Sequence, residues 1–357
     1  MSSASANSGD ATGRATAEGE QPARWEDERE RLLQTRIPEL NLRIDGTPLQ
    51  RLVDRLYAEL DAAGISFKPV VYLSDEWACP DGVPLIGIPF YLADPRLMRI
   101  EDEMMDGVEA ESDEDILALL RHECGHAFCY AHRLYEKEEF LSVFGRWDLP
   151  YRDDYTPRPF SRAYVRHLPA WYAQKHPDED FAETFAVWLS PDSDWQTAYR
   201  DWGAYPKLLY VDRIVREYGP REPLVTGADY DYEHELDHTV AAHYHRMRPE
   251  LGEITAHFDA DLLRIVRRNT GAAPHEPSVD AAALFDAQRR RLGLDTAYWT
   301  GLYDVQVRSL ISHLIERCRK LELRVPAGCE HAVLVDFAAF VTTLCMNKLY
   351  KGEFVLE

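Results

Sequence analysis

Residues 112–128, SDEDILALLRHECGHAF, decide how the rest of the chain is read. Ser112 is a good helix N-cap. Asp113, Glu114 and Asp115 after it fill a first turn, where the helix dipole favours negative charge. Ile116, Leu119 and Leu120 recur at helical spacing, so the pattern predicts a helix that runs through the histidines. On such a helix His122 and His126 share one face with their Cβ atoms about 5–6 Å apart, close enough for two imidazoles to grip one ion. His122-Glu123-Cys124-Gly125-His126 has the form HExxH. Zinc takes histidine nitrogens at about 2.0–2.1 Å and prefers four ligands, so a catalytic site needs a third protein ligand and an open position for water. Glu123 would stand beside that water as its base, not on the metal.

The five-residue pattern alone does not decide the matter: with 13 histidines and many glutamates, a chance HExxH arises at roughly one in twenty. A second one is present, His234-Glu235-Leu236-Asp237-His238. The first is flanked by Leu119, Leu120, Ala127 and Phe128 and holds uncharged Cys124 and Gly125 between the histidines, as a buried helix requires. The second carries Asp237 inside the motif and lies in the charged run YDYEHELDH, where an extra carboxylate is costly to desolvate. It is expected to be a solvated helical face. His243 and His245 are two apart and cannot share a helical face with each other.

Downstream, YAQKHPDEDFAETFA predicts another helix, opened at Pro177 or Asp178 and closed near Ser190-Pro191. Glu179 and Glu183 are four apart on it, so both can face one cavity. Either could ligate while the other supports, and Asp178 is a further candidate. Here the chain resembles the gluzincin zinc metallopeptidases, bacterial-type members included, in which HExxH is followed by a helix bearing a glutamate ligand, an alanine three residues on and an acidic residue four on. Glu179, Ala182 and Glu183 reproduce that pattern. The resemblance implies His122, His126 and Glu179 as ligands of one zinc ion, Glu123 as general base, and Glu183 as a carboxylate that orients a ligating histidine. The separation 179 − 126 = 53 residues suits members that insert a loop. Tyr172, seven residues before Glu179, stands where lethal-factor-like gluzincins carry an oxyanion-stabilising tyrosine; its alternative is a packing aromatic beside Trp171, and Tyr164 is the reserve. The likeness covers about 67–190 and implies peptide-bond hydrolysis.

Outward from these segments, Leu49, Leu52, Val53, Leu56 and Leu60 predict a packing helix. Phe67 to Leu73 and Val83 to Leu92 predict strands of one small sheet, separated by a turn at Cys79-Pro80-Asp81-Gly82. Leu85 to Phe90 could pair an extended peptide from an edge position, where alone Pro89 fits, but reads more simply as a plain hydrophobic strand. Trp147 to His167, rich in Pro, Arg, Asp and Tyr, suggests an irregular connection over a site. Val211 to Tyr218 is helical, and beyond Gly227 longer amphipathic helices follow, such as Thr296 to Leu323. The fold expected is α+β: a Ser/Ala/Gly-biased disordered tail at 1–24, a zincin-like catalytic domain at 25–227 and a mainly α-helical domain at 228–357.

Composition sets the outer bounds. At 45% apolar and 29% charged residues the chain is globular in character. No continuous apolar run of about 20 residues is seen and the first residues do not resemble a secretory signal, so the expectation is a cytoplasmic protein without a membrane partner. A net charge of −22 repels phosphate backbones and argues against nucleic acid. The six cysteines form no CxxC pair, against a cysteine zinc site. The expected partner is a peptide or protein substrate, and the oligomeric state is left open. Two other classes stay in view: a zinc-dependent sensor that cleaves nothing, and a hydrolase of a non-peptide amide.

Overall fold

The computed structural model describes residues 21–355 apart from 106, 111, 152–154, 233, 248–257 and 270–277. It is mostly helical with two small two-stranded sheets. The tail expected to be disordered falls outside the described residues up to residue 20, and residues 21–24 open helix α1 (Gln21–Gln34). In α2 (Pro48–Ala62) Leu49, Leu52, Val53, Leu56 and Leu60 are all buried, the stripe that a 3.6-residue period lays against a core. The two β-rich stretches become β1 (Val70–Ser74) and β2 (Leu85–Pro89), paired in parallel with Val70 opposite Leu85 and Ser74 opposite Pro89. Between them Ala78 pairs antiparallel with Gly87. β2 is buried along its length, and that rung occupies the second edge at its centre, so it is a core strand with no central edge to offer a peptide.

Next come α3 (Pro95–Met105), α4 (Asp113–Ala131), α5 (Glu138–Val143), α6 (Pro177–Leu189), α7 (Trp195–Ala198) and α8 (Tyr205–Tyr218), of which α4 and α6 carry the candidate site. Ser112 and Asp115 close a reciprocal capping box at the start of α4: the Ser112 hydroxyl accepts the Asp115 N–H and the Asp115 carboxylate accepts the Ser112 N–H. This satisfies two donors that a helix start otherwise leaves unpaired. α4 and α6 cross at very short range. A Cβ placed on Gly125 would lie 2.8 Å from the Ala182 Cα and 2.9 Å from its carbonyl oxygen, so only glycine admits this approach. Phe128 of α4 and Phe185 of α6, both fully buried, stack beside the crossing at 5.4 Å. The main core runs from α1 and α2 through β2, α4, α6 and α8 to α9 (Val240–Met247), which adds Val240 and Tyr244 beyond the boundary read near Gly227.

A second core gathers α10 (Asp259–Asn269), α11 (Ala281–Asp286), α12 (Arg289–Thr300), α13 (Asp304–Lys320) and α14 (Glu330–Lys351), with β3 (Ser278–Asp280) and β4 (Arg324–Pro326) paired antiparallel. Phe285 and Phe337 stack at its centre, 3.8 Å apart. The single helix expected over Thr296 to Leu323 is broken: α12 ends at Thr300, Gly301 takes φ 77°, and α13 begins at Asp304. A glycine in the left-handed conformation is a common helix stop. By length and composition α14 could cross a membrane, and its Val333, Phe337, Val341, Leu344 and Cys345 pack into the second core.

Candidate metal centre

The first turn of α6 concentrates negative charge. His176 caps the helix by accepting the Asp178 N–H at 3.2 Å, Pro177 takes the first helical position, and Asp178, Glu179 and Asp180 follow. Proline's fixed φ suits that position, and carboxylates suit the positive end of the dipole. Asp180 turns away to Lys207, 2.6 Å distant. Asp178, Glu179 and Glu183 instead meet the two histidines of α4, and all five side chains are buried.

Three atoms converge. His122 Nε2 lies 3.2 Å from His126 Nε2, and the Glu179 Oε2 oxygen lies 3.1 Å from the first and 3.2 Å from the second. Tetrahedral zinc with bonds of about 2.0–2.1 Å holds its ligand atoms about 3.3 Å apart. The triangle therefore has the size of three corners of a zinc tetrahedron, and these three residues form the one group able to hold a metal among the described residues. Both Nδ1 atoms are backed by carboxylates: Glu183 Oε1 at 2.9 Å from His122 and Asp178 Oδ2 at 3.1 Å from His126. The hydrogen bond that His122 Nδ1 donates to Glu183 fixes the tautomer and ring orientation of that imidazole. Asp178 stands at ion-pair distance from His126 Nδ1 without an aligned hydrogen bond, and each arrangement leaves Nε2 free to bind metal. The backing groups are themselves held. Tyr130 and Tyr151 both donate to Asp178, the latter at 3.0 Å, and the Leu168 N–H donates to Glu183 Oε2 at 3.0 Å.

The electrostatics favour a cation. Burial pulls the His122 pKa down, but Glu179 and Glu183 outweigh it and hold the imidazole at about 9. Burial is likewise outweighed at His126, where Asp178 and Glu179 raise the pKa well above the ordinary value. Burial works to raise the Glu179 and Asp178 pKa values, yet the histidines hold both carboxyls below their usual range. A site that draws protons onto both imidazoles this strongly offers the same field to a divalent ion.

Glu123 and Tyr172 line one cleft of about 930 Å³ with His122. Glu123 is buried, and desolvation raises its pKa. The Tyr172 ring meets His122 edge-on at 5.6 Å, and its hydroxyl accepts from Lys175 Nζ at 3.4 Å. Desolvation first, then Glu179 and Glu123, push the Tyr172 pKa far up, so it stays a phenol able to donate. Tyr164 is not brought here: the Lys207 ammonium sits 4.2 Å from its ring centre. The second HExxH is not helical. His234, Glu235 and Leu236 lie in a turn, and Glu235 accepts from Tyr230 at 2.9 Å and from Ser74 at 3.0 Å.

Sequence reasoning weighed Asp178 only as a competing ligand and missed Tyr130 and Tyr151. Tyr130 carried a usable signal, four residues after His126 on the same helical face. Tyr151 carried none, because it comes from the irregular connection and reaches Asp178 only through tertiary packing.

Residues 101–213 match the model of a family described as "putative zinc-binding metallo-peptidase". The match contains every residue of the centre and stops short of the second core. No curated protein and no solved structure matches the chain.

Proposed function

We propose that the chain is a zinc-dependent metallopeptidase whose ion is held by His122, His126 and Glu179, on a zincin-like unit built from α4, α6 and the β1–β2 pair. The observation that carries this reading is the triangle of Nε2, Nε2 and Oε2 atoms with a carboxylate behind each histidine. Zinc, when bound, supplies Lewis acidity that polarises a carbonyl and lowers the pKa of water towards about 7.

The remaining work falls to the protein's own groups. Glu123 takes the proton of the attacking water and returns it to the departing amine, as general base and then general acid. Tyr172 donates to the oxyanion as it develops. Glu183 and Asp178 keep the two imidazoles turned towards the ion and are positioning residues. The cleft that Glu123 lines receives the peptide.

Cleavage of a peptide library by wild type and Glu123→Gln, with zinc measured in both, tests the reading. One zinc in each protein with cleavage by wild type alone is the expected result. Zinc in both without cleavage by either would move the weight to a zinc sensor or a non-peptide amide, and zinc in neither would end the proposal.

A further inference from the structure

Tyr172 reaches the centre along an unusual backbone. Pro169–Gln174 forms a tight turn before α6 in which Ala170 (φ 63°, ψ 13°) and Trp171 (φ 57°, ψ 41°) are both left-handed. A Cβ makes that conformation unfavourable, so two such residues in succession persist only where the surroundings over-determine them.

The C-terminal helices supply part of those surroundings. The buried Trp171 indole lies against Gly301, where α12 ends. A Cβ on Gly301 would overlap the indole Cδ1, lie 2.7 Å from its Nε1 and 3.2 Å from Pro157 Cγ, and Gly301 itself has a positive φ. The Arg166 guanidinium sits 4.2 Å from the Trp171 ring centre, and Phe160 meets the indole edge-on at 5.4 Å. Tyr155 donates to the Ala170 carbonyl at 2.6 Å, and its ring meets Tyr303 at 5.8 Å. Tyr303 belongs to the turn between α12 and α13 and lines the same cleft as Glu123.

We infer that Trp171 and Gly301 are positioning residues: the α12–α13 turn clamps the left-handed pair behind Tyr172 and so aims its phenol at the metal centre. The C-terminal helices are then part of the catalytic unit and not an appendage. This rests on the reading of Tyr172 as oxyanion donor. Among the described residues the indole N–H has no hydrogen-bond partner, so the clamp acts by shape and another flat ring should partly replace it.

The test compares full-length Gly301→Ala, Trp171→Ala and Trp171→Phe, each alone and combined with Tyr172→Phe. Zinc content, kcat, KM and hydrogen exchange over residues 167–175 are measured in each. Losing an oxyanion donor costs about 10²–10³ in kcat. Gly301→Ala and Trp171→Ala should therefore lower kcat by about 10-fold or more towards that limit, with zinc retained and KM within about twofold. Trp171→Phe should recover most of the loss. With Tyr172 already replaced, the same changes should cost less than about twofold, because residues acting through one group are not additive. Exchange over 167–175 should quicken in Gly301→Ala while α4 and α6 stay protected.

Full additivity with Tyr172→Phe, or unchanged exchange over 167–175, would overturn the inference. If wild type cleaves no peptide, the proposed function fails separately, and the exchange result alone decides the clamp.

Discussion

His122 and His126 stand one turn apart on a buried helix with a carboxylate behind each ring, whereas in the same five-residue pattern His234 lies in an exposed turn and His238 in a half-buried bend before α9. HExxH specifies a shared face only if the backbone is helical. In the first region the Ser112–Asp115 capping box and the apolar run from Ile116 make it so, and Gly125 lets α6 press its acidic first turn against the histidines. In the second, the same residue types serve other contacts. Asp237 pairs with Arg36, the His238 carbonyl accepts the Ile37 N–H at 2.9 Å, and His234 is exposed beside Asp231. The imidazoles also move in opposite directions. Carboxylates hold His122 at about 9, while desolvation first, despite Asp75, lowers the nearby His243 to about 4. A metal site needs the spacing together with the negative surroundings.

The largest effect should separate the two motifs outright. His126→Ala is expected to abolish zinc retention and cleavage, and His238→Ala to leave both unchanged, as read by metal analysis and peptide turnover. Equal losses would erase the distinction. Next, Glu123→Gln should lower kcat by about 10²–10⁴, the range for a positioned acid–base group, with zinc kept; Glu235→Gln should leave kcat alone and at most loosen the turn it braces. Smaller again, Asp178→Asn should weaken zinc binding by about 10–100-fold, as removal of a histidine's supporting carboxylate typically does. Competition with a chelator measures this, and undiminished affinity would show that Asp178 supports nothing.

The last effect concerns pH. His243 is buried among Phe90, His238 and Tyr244 with Asp75 and Arg246 close by. Its folded pKa of about 4 lies below the ordinary value of about 6.5. The unfolded chain therefore binds the proton first as pH falls. The stability that neutral His243 contributes is complete above about pH 6.5 and is lost as pH drops through about 4, by on the order of 2–3 kcal/mol. Thermal unfolding between pH 7 and 4.5 should fall less steeply in His243→Phe than in wild type, and parallel curves would contradict the assignment.

Much of this arrangement was legible before the structure. The periodic face of α2, the cap and histidines of α4, and the acidic opening of α6 are local patterns whose physics lies within a turn or two. What escaped was non-local or rested on one dihedral. Nothing in 67–92 specified a parallel pairing or the Ala78–Gly87 rung, because strand direction depends on the path between strands. Gly301 lies inside the helix expected over Thr296 to Leu323, yet its positive φ splits that helix into two and seats Trp171. The second motif looked helical by spacing, but tertiary partners of Glu235 and Asp237 override that preference. Which carboxylate meets which nitrogen needed coordinates: spacing allowed Asp178, Glu179 or Glu183, and Glu179 is the one that faces both Nε2 atoms.

The central claim is that one zinc is held by His122, His126 and Glu179. X-ray absorption at the zinc edge on the zinc-loaded full chain, beside His126→Ala and His238→Ala, addresses it most directly. The expected spectrum shows only nitrogen and oxygen neighbours at about 2.0–2.1 Å, with scattering from two imidazoles. It should be unchanged in His238→Ala and absent or altered in His126→Ala. Sulfur neighbours at about 2.3 Å, or a spectrum that responds to His238 and not to His126, would contradict it.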